Sequence, residues 1–498
     1  MTTTVEPRRV PATGTAGSTR LQAPVRVLTG RAAHPWSRRD LVYVLIPCSV
    51  GLGVAAGLAP VALLAGIAAV GLVALILVDL TVGLAVFTVI QFFAMVPFVG
   101  GQELTVVKGT GALLAISWTL VILRGRLRAP AAPRTRPENL ITRFPVTVVF
   151  LLLFLIWGGL SFLWAIDPDA VLVDLSRYAL NFVLFAIIPT AVSRPRHALW
   201  IAGAIVLGTT IAACSGSFFS TVNDPNRLEG AFGDPNDLAA ALIPGVLLAF
   251  ALIGTVRSRW LQLLFLGCGL VGVYATLLTA SRGGLIGLAV ALAVLWLLVP
   301  GWRTALSVGA GSMAVGGGLF YLLAAPAELA ERISEPGDGS GRLDIWLLGW
   351  RVFADRPFLG AGLGNFTSAT PLYLVEPGLV ARADRILTMP KIAHNMYLSM
   401  LTELGLVGFA LFVGIVGISL VAMFRANQIF TRIAVPGMSL LSAAFSAGLT
   451  GLLTADFFLS GQHEKHLWLL LGLGPALLLM ARREAANRVS PVVPVPAR

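Results

Sequence analysis

Long apolar segments recur along the chain from Leu41 to Met480, and short polar or basic segments separate them. Most have about 17 to 25 residues, the length that a helix needs to cross a hydrocarbon layer about 30 Å thick. The pattern predicts about fourteen membrane-spanning helices. Their approximate bounds are 41–58, 60–79, 81–99, 110–125, 145–165, 172–192, 199–218, 237–255, 261–280, 284–299, 304–324, 396–423, 435–458 and 466–481.

The composition agrees with this pattern, because 57% of the residues are hydrophobic and only 12% are charged. An ordinary soluble domain has about 25% charged residues and could not bury so much apolar surface. The predicted fold class is therefore an all-α polytopic membrane protein. One large extracytoplasmic loop with amphipathic helices is expected, because residues 341–354 form a strongly apolar, helix-like segment.

The basic residues behind the net charge of +12 lie in clusters between the apolar segments. The positive-inside rule assigns such clusters to the cytoplasm, so we expect a multi-pass protein of the inner (cytoplasmic) membrane. The charge favours the lipid bilayer as partner and not nucleic acid. The sequence predicts five regions along the chain. They are a disordered basic cytoplasmic tail (1–39), transmembrane helices with short loops (40–324), a large extracytoplasmic loop (325–395), C-terminal transmembrane helices (396–481) and a cytoplasmic tail (482–498).

Arginines are frequent on the predicted outer face, where the positive-inside rule leaves few. Arg227 lies in a turn-rich segment, Arg282 opens a tight turn between two spans, and Arg342 begins the amphipathic helix. If the three converge, they form a clamp for a phosphate or diphosphate, which the planar guanidinium group binds well. Each could instead pair with a nearby carboxylate or extend to lipid headgroups.

His394 ends the long loop just before a span. An imidazole has an unperturbed pKa near 6.5, so a neutral His394 can act as a base toward a hydroxyl group. A neighbouring cluster of arginines would help to keep it neutral. The alternative is an interfacial histidine that donates a hydrogen bond to a loop carbonyl.

Two further groups could suggest a metal ion. His463 and His466 are three residues apart in a short turn without a third obvious ligand, and no metal site is assigned there. Asp224, Asp234 and Asp237 could hold a cation, but two turns and a helix N-cap explain them better. Asp456 is a weaker candidate for orienting a cation or a substrate hydroxyl. No cofactor is expected.

Five stretches, in this order and spacing, make the chain resemble the bacterial O-antigen ligase and O-antigen polymerase superfamily of polyprenyl-diphosphate glycan transferases. Relatives usually have about twelve spans, which gives an expected range of about 12 to 14 transmembrane helices. The stretches are Arg227 with residues 233–239 (GDPNDLA), 279–284 (TASRGG), 341–346 (GRLDIW), 355–366 (DRPFLGAGLGNF), and His394-Asn395 followed by 403–408 (ELGLVG).

The resemblance implies an inverting, metal-independent glycosyltransferase that moves a glycan from a polyprenyl-diphosphate carrier to an acceptor hydroxyl on the extracytoplasmic face. It implies that Arg227, Arg282 and Arg342 bind the donor diphosphate and that His394 activates the acceptor. At the matching positions, Asn236, Asn395 and Glu403 are expected to support these groups. The acceptor is a glycan, a lipid or a protein, so ligase and polymerase both stay open.

Two other classes remain as alternatives. A transporter or flippase for anionic lipid-linked sugars would also use arginines, but it would place them within spans around a central cavity. A scaffold for envelope assembly would leave the placement of His394 and the arginines without a reason.

Overall fold

The computed structural model of the chain describes residues 60–93, 104–127, 140–219, 227–334, 342–374 and 391–489. Every regular element in these ranges is helical. We number the longer helices α1 (Pro60–Val78), α2 (Leu80–Ile90), α3 (Leu104–Leu127), α4 (Pro145–Leu160), α5 (Pro168–Ala191), α6 (Pro195–Phe219), α7 (Pro235–Ile253), α8 (Arg259–Leu278), α9 (Arg282–Leu298), α10 (Arg303–Leu323), α11 (Arg342–Asp355), α12 (Met396–Arg432), α13 (Pro436–Ala455) and α14 (Lys465–Val489).

This architecture confirms the predicted all-α polytopic fold class. Nine helices in the described residues are long and apolar enough to cross a membrane, and α2 and α9 are shorter apolar helices. The first predicted span (41–58) and most of both tails lie outside the described residues. The internal contacts divide the chain into two compact units after Val70, and the first unit is described only from Pro60, where α1 begins. All helices from α2 onward belong to the second unit.

The helix starts follow from local sequence. Proline occupies the first turn of several helices, where its missing N–H costs nothing and its fixed φ suits the helix. Side-chain caps precede other helices and satisfy the first free amide groups. The capping residues are Asp79, Asp167, Asp234, Ser281 and Asn395. The N-cap interpretation of Asp234 is thus confirmed, because its carboxylate accepts from the amides of Asn236 and Asp237, whereas Asp224 lies outside the described residues.

Helices α7 and α13 lie at the centre of the bundle, and small residues bring them and α9 close together. A Cβ atom on Gly287 of α9 would lie 2.6 Å from the carbonyl oxygen of Gly451 in α13. Without a hydrophobic driving force inside a bilayer, such close backbone approach supplies much of the packing energy. The start of α9 is therefore fixed against the core.

Helix α12 is broken at Gly405, which has φ 64° and ψ −168° inside an otherwise helical segment. The break leaves backbone groups without helical partners, and residues 357–364 supply them. Ala361 N donates to the carbonyl of Thr402, and Gly362 N donates to that of Glu403 (both 2.9 Å). Leu406 N donates to the carbonyl of Pro357 at 2.8 Å. Irregular backbone within a membrane protein is tolerated where other parts of the protein supply such hydrogen bonds.

The predicted amphipathic helix is confirmed as α11, which begins and ends one residue later than expected. It packs on the start of α12, where Thr402 Oγ1 donates to the carbonyl of Gly349 at 3.1 Å. Ile345 and Leu348 form an apolar cluster with Phe366 and Leu398. Helix α11 and the glycine-rich turn that follows it are therefore held against α12.

The two ends of the bundle differ in charge. At one end, Arg483 Nη1 donates to the carbonyl of Ser193, and the end of α7 contacts Trp302 and Leu440. This end, which we call the basic end, carries few acidic residues in the described ranges, namely Asp79 and Glu484. The opposite end, which we call the loop end, carries residues 342–374 and a mixture of charges. The arginines of the basic end include Arg124, Arg143, Arg194, Arg196, Arg257, Arg259, Arg303, Arg425, Arg432, Arg482, Arg483 and Arg488.

We expect Gly405→Ala to destabilise the fold. A Cβ atom at Gly405 would lie 2.4 Å from the Phe358 carbonyl group. The backbone of Gly405 (φ 64°, ψ −168°) lies in a region that is open essentially only to glycine and costs another residue about 1 to 3 kcal/mol, and the overlap adds about 1 to 3 kcal/mol. Thermal unfolding in detergent measures the loss. Gly417→Ala in the same helix is the control, because nothing lies within 4 Å of a Cβ atom there. Equal unfolding temperatures for the two variants would contradict the packed break.

Candidate functional site

Arg227 lies at the loop end, against the turn between α8 and α9. Its Nε donates to the carbonyl of Thr279 at 2.7 Å, and its Nη2 donates to Asn236 Oδ1 at 3.1 Å. The main chain joins the same turn, since Leu228 N donates to the carbonyl of Leu278 at 3.1 Å. The guanidinium group is therefore oriented by two elements that are distant in sequence.

Asn236 connects Arg227 with the start of α9. The same Oδ1 atom also accepts a hydrogen bond from Ser281 Oγ at 2.9 Å. Ser281 Oγ in turn accepts from Gly284 N at 3.2 Å and so caps the helix that Arg282 begins. The predicted residues Arg227, Asn236 and Arg282 are thus brought into one turn cluster by Ser281, which the sequence analysis did not select. Its place three residues before Gly284 is the pattern of a helix N-cap.

Arg282 is exposed at the first position of α9. Helices α7 and α9 approach closely here, because a Cβ atom on Gly284 would lie 2.5 Å from Ala239 Cβ. A cation at a helix N-terminus opposes the helix dipole, whose positive end lies at the same place. Arg342 repeats this placement at the first position of α11. Both positions therefore combine two sources of positive potential.

His394 lies at the end of the segment that returns to α12. Trp346 Nε1 of α11 donates to the carbonyl of Ala393 at 3.0 Å and joins this segment to the helix that Arg342 begins. The His394 backbone has φ 45°, in the left-handed region that few non-glycine residues adopt. A second residue with this conformation is the buried Ala280, which precedes Ser281 in the arginine turn, and a third is Ala434 at the basic end. Such strain is concentrated at functional sites.

The electrostatic surroundings of His394 join the two halves of the site. Burial lowers the pKa of the His394 imidazole, and the positive charges of Arg342 and Lys391 lower it further. The carboxylate of Asp234, two residues before Asn236, raises the pKa and only partly offsets them. Within the described part of the chain, no protein group hydrogen-bonds to this ring. A neutral imidazole with available ring nitrogens is what a general base requires.

Asn395 and Glu403 stabilise the backbone around the site. Asn395 Oδ1 accepts from the amides of Tyr397 and Leu398, both at 3.0 Å, and thereby caps α12 directly after His394. Glu403 is buried, and its two carboxylate oxygens accept from Gly364 N and Ser399 Oγ, both at 2.9 Å. Glu403 therefore secures the glycine-rich turn and does not join the arginine cluster.

His463 and His466 do not converge on one point. His463 Nε2 lies 3.2 Å from Asp174 Oδ2, whereas His466 stacks on Phe92. In the residues that the structure describes, no group of three His, Cys, Asp or Glu side chains has an arrangement that could hold a metal ion. The Asp174–His463 pair instead contributes to a buried polar network beneath the turn that Glu403 secures.

The described part of the chain is a multi-pass helical membrane protein, and arginines and a histidine lie together at one end of its bundle. Within the chain, residues 267–413 match the family model described as O-antigen ligase. The resemblance to the O-antigen ligase and polymerase superfamily is thereby confirmed over a segment that runs from α8 into α12. That segment contains Arg282, Arg342, His394, Asn395 and Glu403, while Arg227 and Asn236 precede it. No curated protein matches the sequence.

Proposed function

We propose that the protein is a membrane glycosyltransferase that moves a glycan from a polyprenyl-diphosphate carrier to an acceptor hydroxyl. The observation that carries this proposal is the meeting of two groups at one end of the bundle. One is the turn cluster of Arg227, Asn236 and Arg282, and the other is the pair of Arg342 and His394. The family match supports an O-antigen ligase-like activity.

The arginines suit a diphosphate. Arg282 and Arg342 each begin a helix, and the N-terminus of a helix favours an anion through its dipole and its first backbone amides. Negative charge builds up on the diphosphate as the bond to the sugar breaks, and fixed cations stabilise that state more than the ground state. Three arginines supply this charge themselves, so the proposed step requires no metal ion.

His394 serves as the general base. Its neutral imidazole takes the proton of the acceptor hydroxyl while that oxygen forms a bond to C1 of the donor sugar. The bond between C1 and the diphosphate oxygen breaks at the same time, and its electron pair leaves with the diphosphate. Attack from the face opposite the leaving group inverts the configuration at C1. The product is a new glycoside, a polyprenyl diphosphate and a protonated His394.

The broken helix α12 is the one observation that favours a transporter. In transporters, the gap of such a helix binds the substrate or a coupling ion. Here residues 357–364 occupy the gap and use the freed backbone groups. The arginines lie at the loop end and not around a central cavity, so the transferase is favoured. The acceptor, which separates a ligase from a polymerase, stays open.

We further propose that the loop end is extracytoplasmic, because the positive-inside rule assigns the basic end to the cytoplasm of the inner membrane. In a cysteine-free background, Asp169→Cys at the loop end should react with an impermeant maleimide in intact spheroplasts. Ser258→Cys at the basic end should react only after permeabilisation. Both positions are exposed, so the opposite labelling pattern would reverse the orientation.

His394→Ala should lose about 10²- to 10⁴-fold in transfer rate, the usual contribution of a general base, while binding of the donor is retained. Since the neutral imidazole is the active form and the pKa of His394 is lowered, wild-type kcat/KM should decline on acidification only at a pH below about 6.5, the ordinary pKa of histidine. This acidic decline should be absent from the residual activity of the variant.

His197→Ala is the matched control for this variant. His197 lies at the basic end, where its ring contacts the Ala191 carbonyl at 2.9 Å. Its removal tests for a general effect of losing a partly buried histidine. Transfer assays with the reconstituted protein measure both variants, and full activity of His394→Ala would exclude the proposed base.

Arg282→Ala should weaken binding of a polyprenyl diphosphate by about 10- to 100-fold, because hydrogen bonds to charged groups contribute about 1.5 to 3 kcal/mol. The affinity of Arg282→Lys should lie between those of wild type and Arg282→Ala, since lysine keeps the charge but lacks the planar guanidinium group. Titration in nanodiscs measures the affinity. The control is Arg196→Ala, which removes an arginine that lies near Trp200 at the basic end. Equal affinity of Arg282→Ala and wild type would remove Arg282 from the diphosphate site.

A further inference from the structure

A large apolar groove lies between helices α8, α9 and α10. Its volume is about 810 Å³, which is in the range of sites that hold small molecules. Ala289 and Ala293 line it from α9, Val273 and Leu277 from α8, and Ala310 and Met313 from α10. Two small alanines on one face of α9 leave space that larger side chains would fill.

The groove exists because α10 is packed loosely against the bundle. In the apolar stretch of Pro300–Leu323 that contains α10, only 6% of the residues are buried inside the protein, whereas the corresponding share is 83% in Pro436–Phe458, which contains α13. Val308, Val315 and Leu322 of α10 are largely exposed, as expected for side chains that face lipid. The groove is therefore placed at hydrocarbon depth, where its occupant has to be apolar.

The wall has few polar groups, and both hydroxyl groups already have a hydrogen-bond partner within the protein. Thr276 Oγ1 donates to the carbonyl of Gly272 at 2.8 Å. Ser307 Oγ accepts from Trp296 Nε1 at 3.1 Å. A polar ligand would find few partners for its hydrogen bonds, and its desolvation would be costly. The wall therefore selects a hydrocarbon.

The two ends of the groove differ. At the loop end, lining residue Leu285 is one helical turn from Arg282, and the carbonyl of Leu277 accepts from Tyr321 Oη at 2.6 Å. Two residues further on, the carbonyl of Thr279 accepts from Arg227. At the basic end, the guanidinium group of Arg303 lies 4.4 Å from the centre of the Trp296 ring. The groove thus begins beside the arginine turn and ends about 17 Å lower, from the helical rise between Leu285 and Trp296.

We propose that this groove holds the polyprenyl chain of the donor, with the diphosphate at Arg227 and Arg282. The inference rests on the proposed function and extends it, because it assigns a binding site to the hydrocarbon chain of the carrier, which takes no part in the reaction. An anionic headgroup beside the arginines and a single hydrocarbon chain along α9 satisfy both the charge and the apolar wall. Binding of the chain there also directs the diphosphate toward the turn cluster.

Photocrosslinking tests the location without relying on transfer. The probe is a long-chain polyprenyl diphosphate without glycan, with a diazirine near the end of its chain, added to the full-length protein in nanodiscs. Mass spectrometry should find the adducts on α9 and α10, with competition by unlabelled polyprenyl diphosphate. Adducts elsewhere would overturn the proposal. So would a diazirine phospholipid that labels the groove and is not displaced, since the occupant would then be bulk lipid.

Ala293→Phe tests the use of the groove in catalysis. Because the new ring fills the lower half, KM for a long-chain donor should rise at least about tenfold, with kcat unchanged. KM for a donor with a geranyl chain should not change, since a short chain does not reach that depth. The control is Ala305→Phe, which adds the same ring to an exposed position of α10 outside the lining.

Equal effects on both donors, or no effect on either, would overturn the groove as the chain site. Failure of the proposed function is a separate outcome, because it would appear as wild-type protein that transfers from neither donor. The crosslinking result stands independently of that outcome, since it needs no glycan and no acceptor.

Discussion

The requirement that buried backbone groups find partners determines how the loop end is built. Helix α12 is interrupted at Gly405, and residues 357–364 take up the amide and carbonyl groups that the interruption frees. Gly360, Gly362 and Gly364 all have positive φ there, and the backbone approaches α12 more closely than any side chain would allow. A Cβ atom on Gly360 would lie 2.3 Å from the Glu403 carbonyl oxygen. This insertion fixes the segment that follows α11 and so helps to fix α11 itself. Helix α11 in turn holds the segment that contains His394, because Trp346 donates to the carbonyl of Ala393.

Positive potential at the loop end has a structural origin as well as a compositional one. Arg282 and Arg342 are placed at helix N-termini, where the helix dipole disfavours a cation. Burial and the charges of Arg342 and Lys391 lower the pKa of His394. In the proposed mechanism, Arg342 therefore has two roles, because it binds the diphosphate and helps to keep the imidazole neutral.

The sequence was sufficient for the periodic elements and for the polar residues with unusual placement. Apolar segment length predicted the spans, and the position of arginines outside the basic clusters selected Arg227, Arg282 and Arg342. The break at Gly405 could not be predicted, because residues 396–423 read as one apolar helix and the partner that fills the gap is distant in sequence. For the same reason the double acceptor role of Asn236 and the use of both Glu403 oxygens by Gly364 and Ser399 were not accessible. Such contacts depend on tertiary packing and leave no local pattern.

The interruption of α12 has a consequence for how the site can diversify. The nine residues of α12 before the break are bound to α11 and the glycine-rich turn, so His394 and Arg342 belong to one structural module. Arg227 and Arg282 belong to another, which is built from the starts of α7 and α9. Loops on the first module can be exchanged without altering the hydrogen bonds of the second. The proposed site for the lipid carrier can therefore stay constant while the acceptor side of the protein changes.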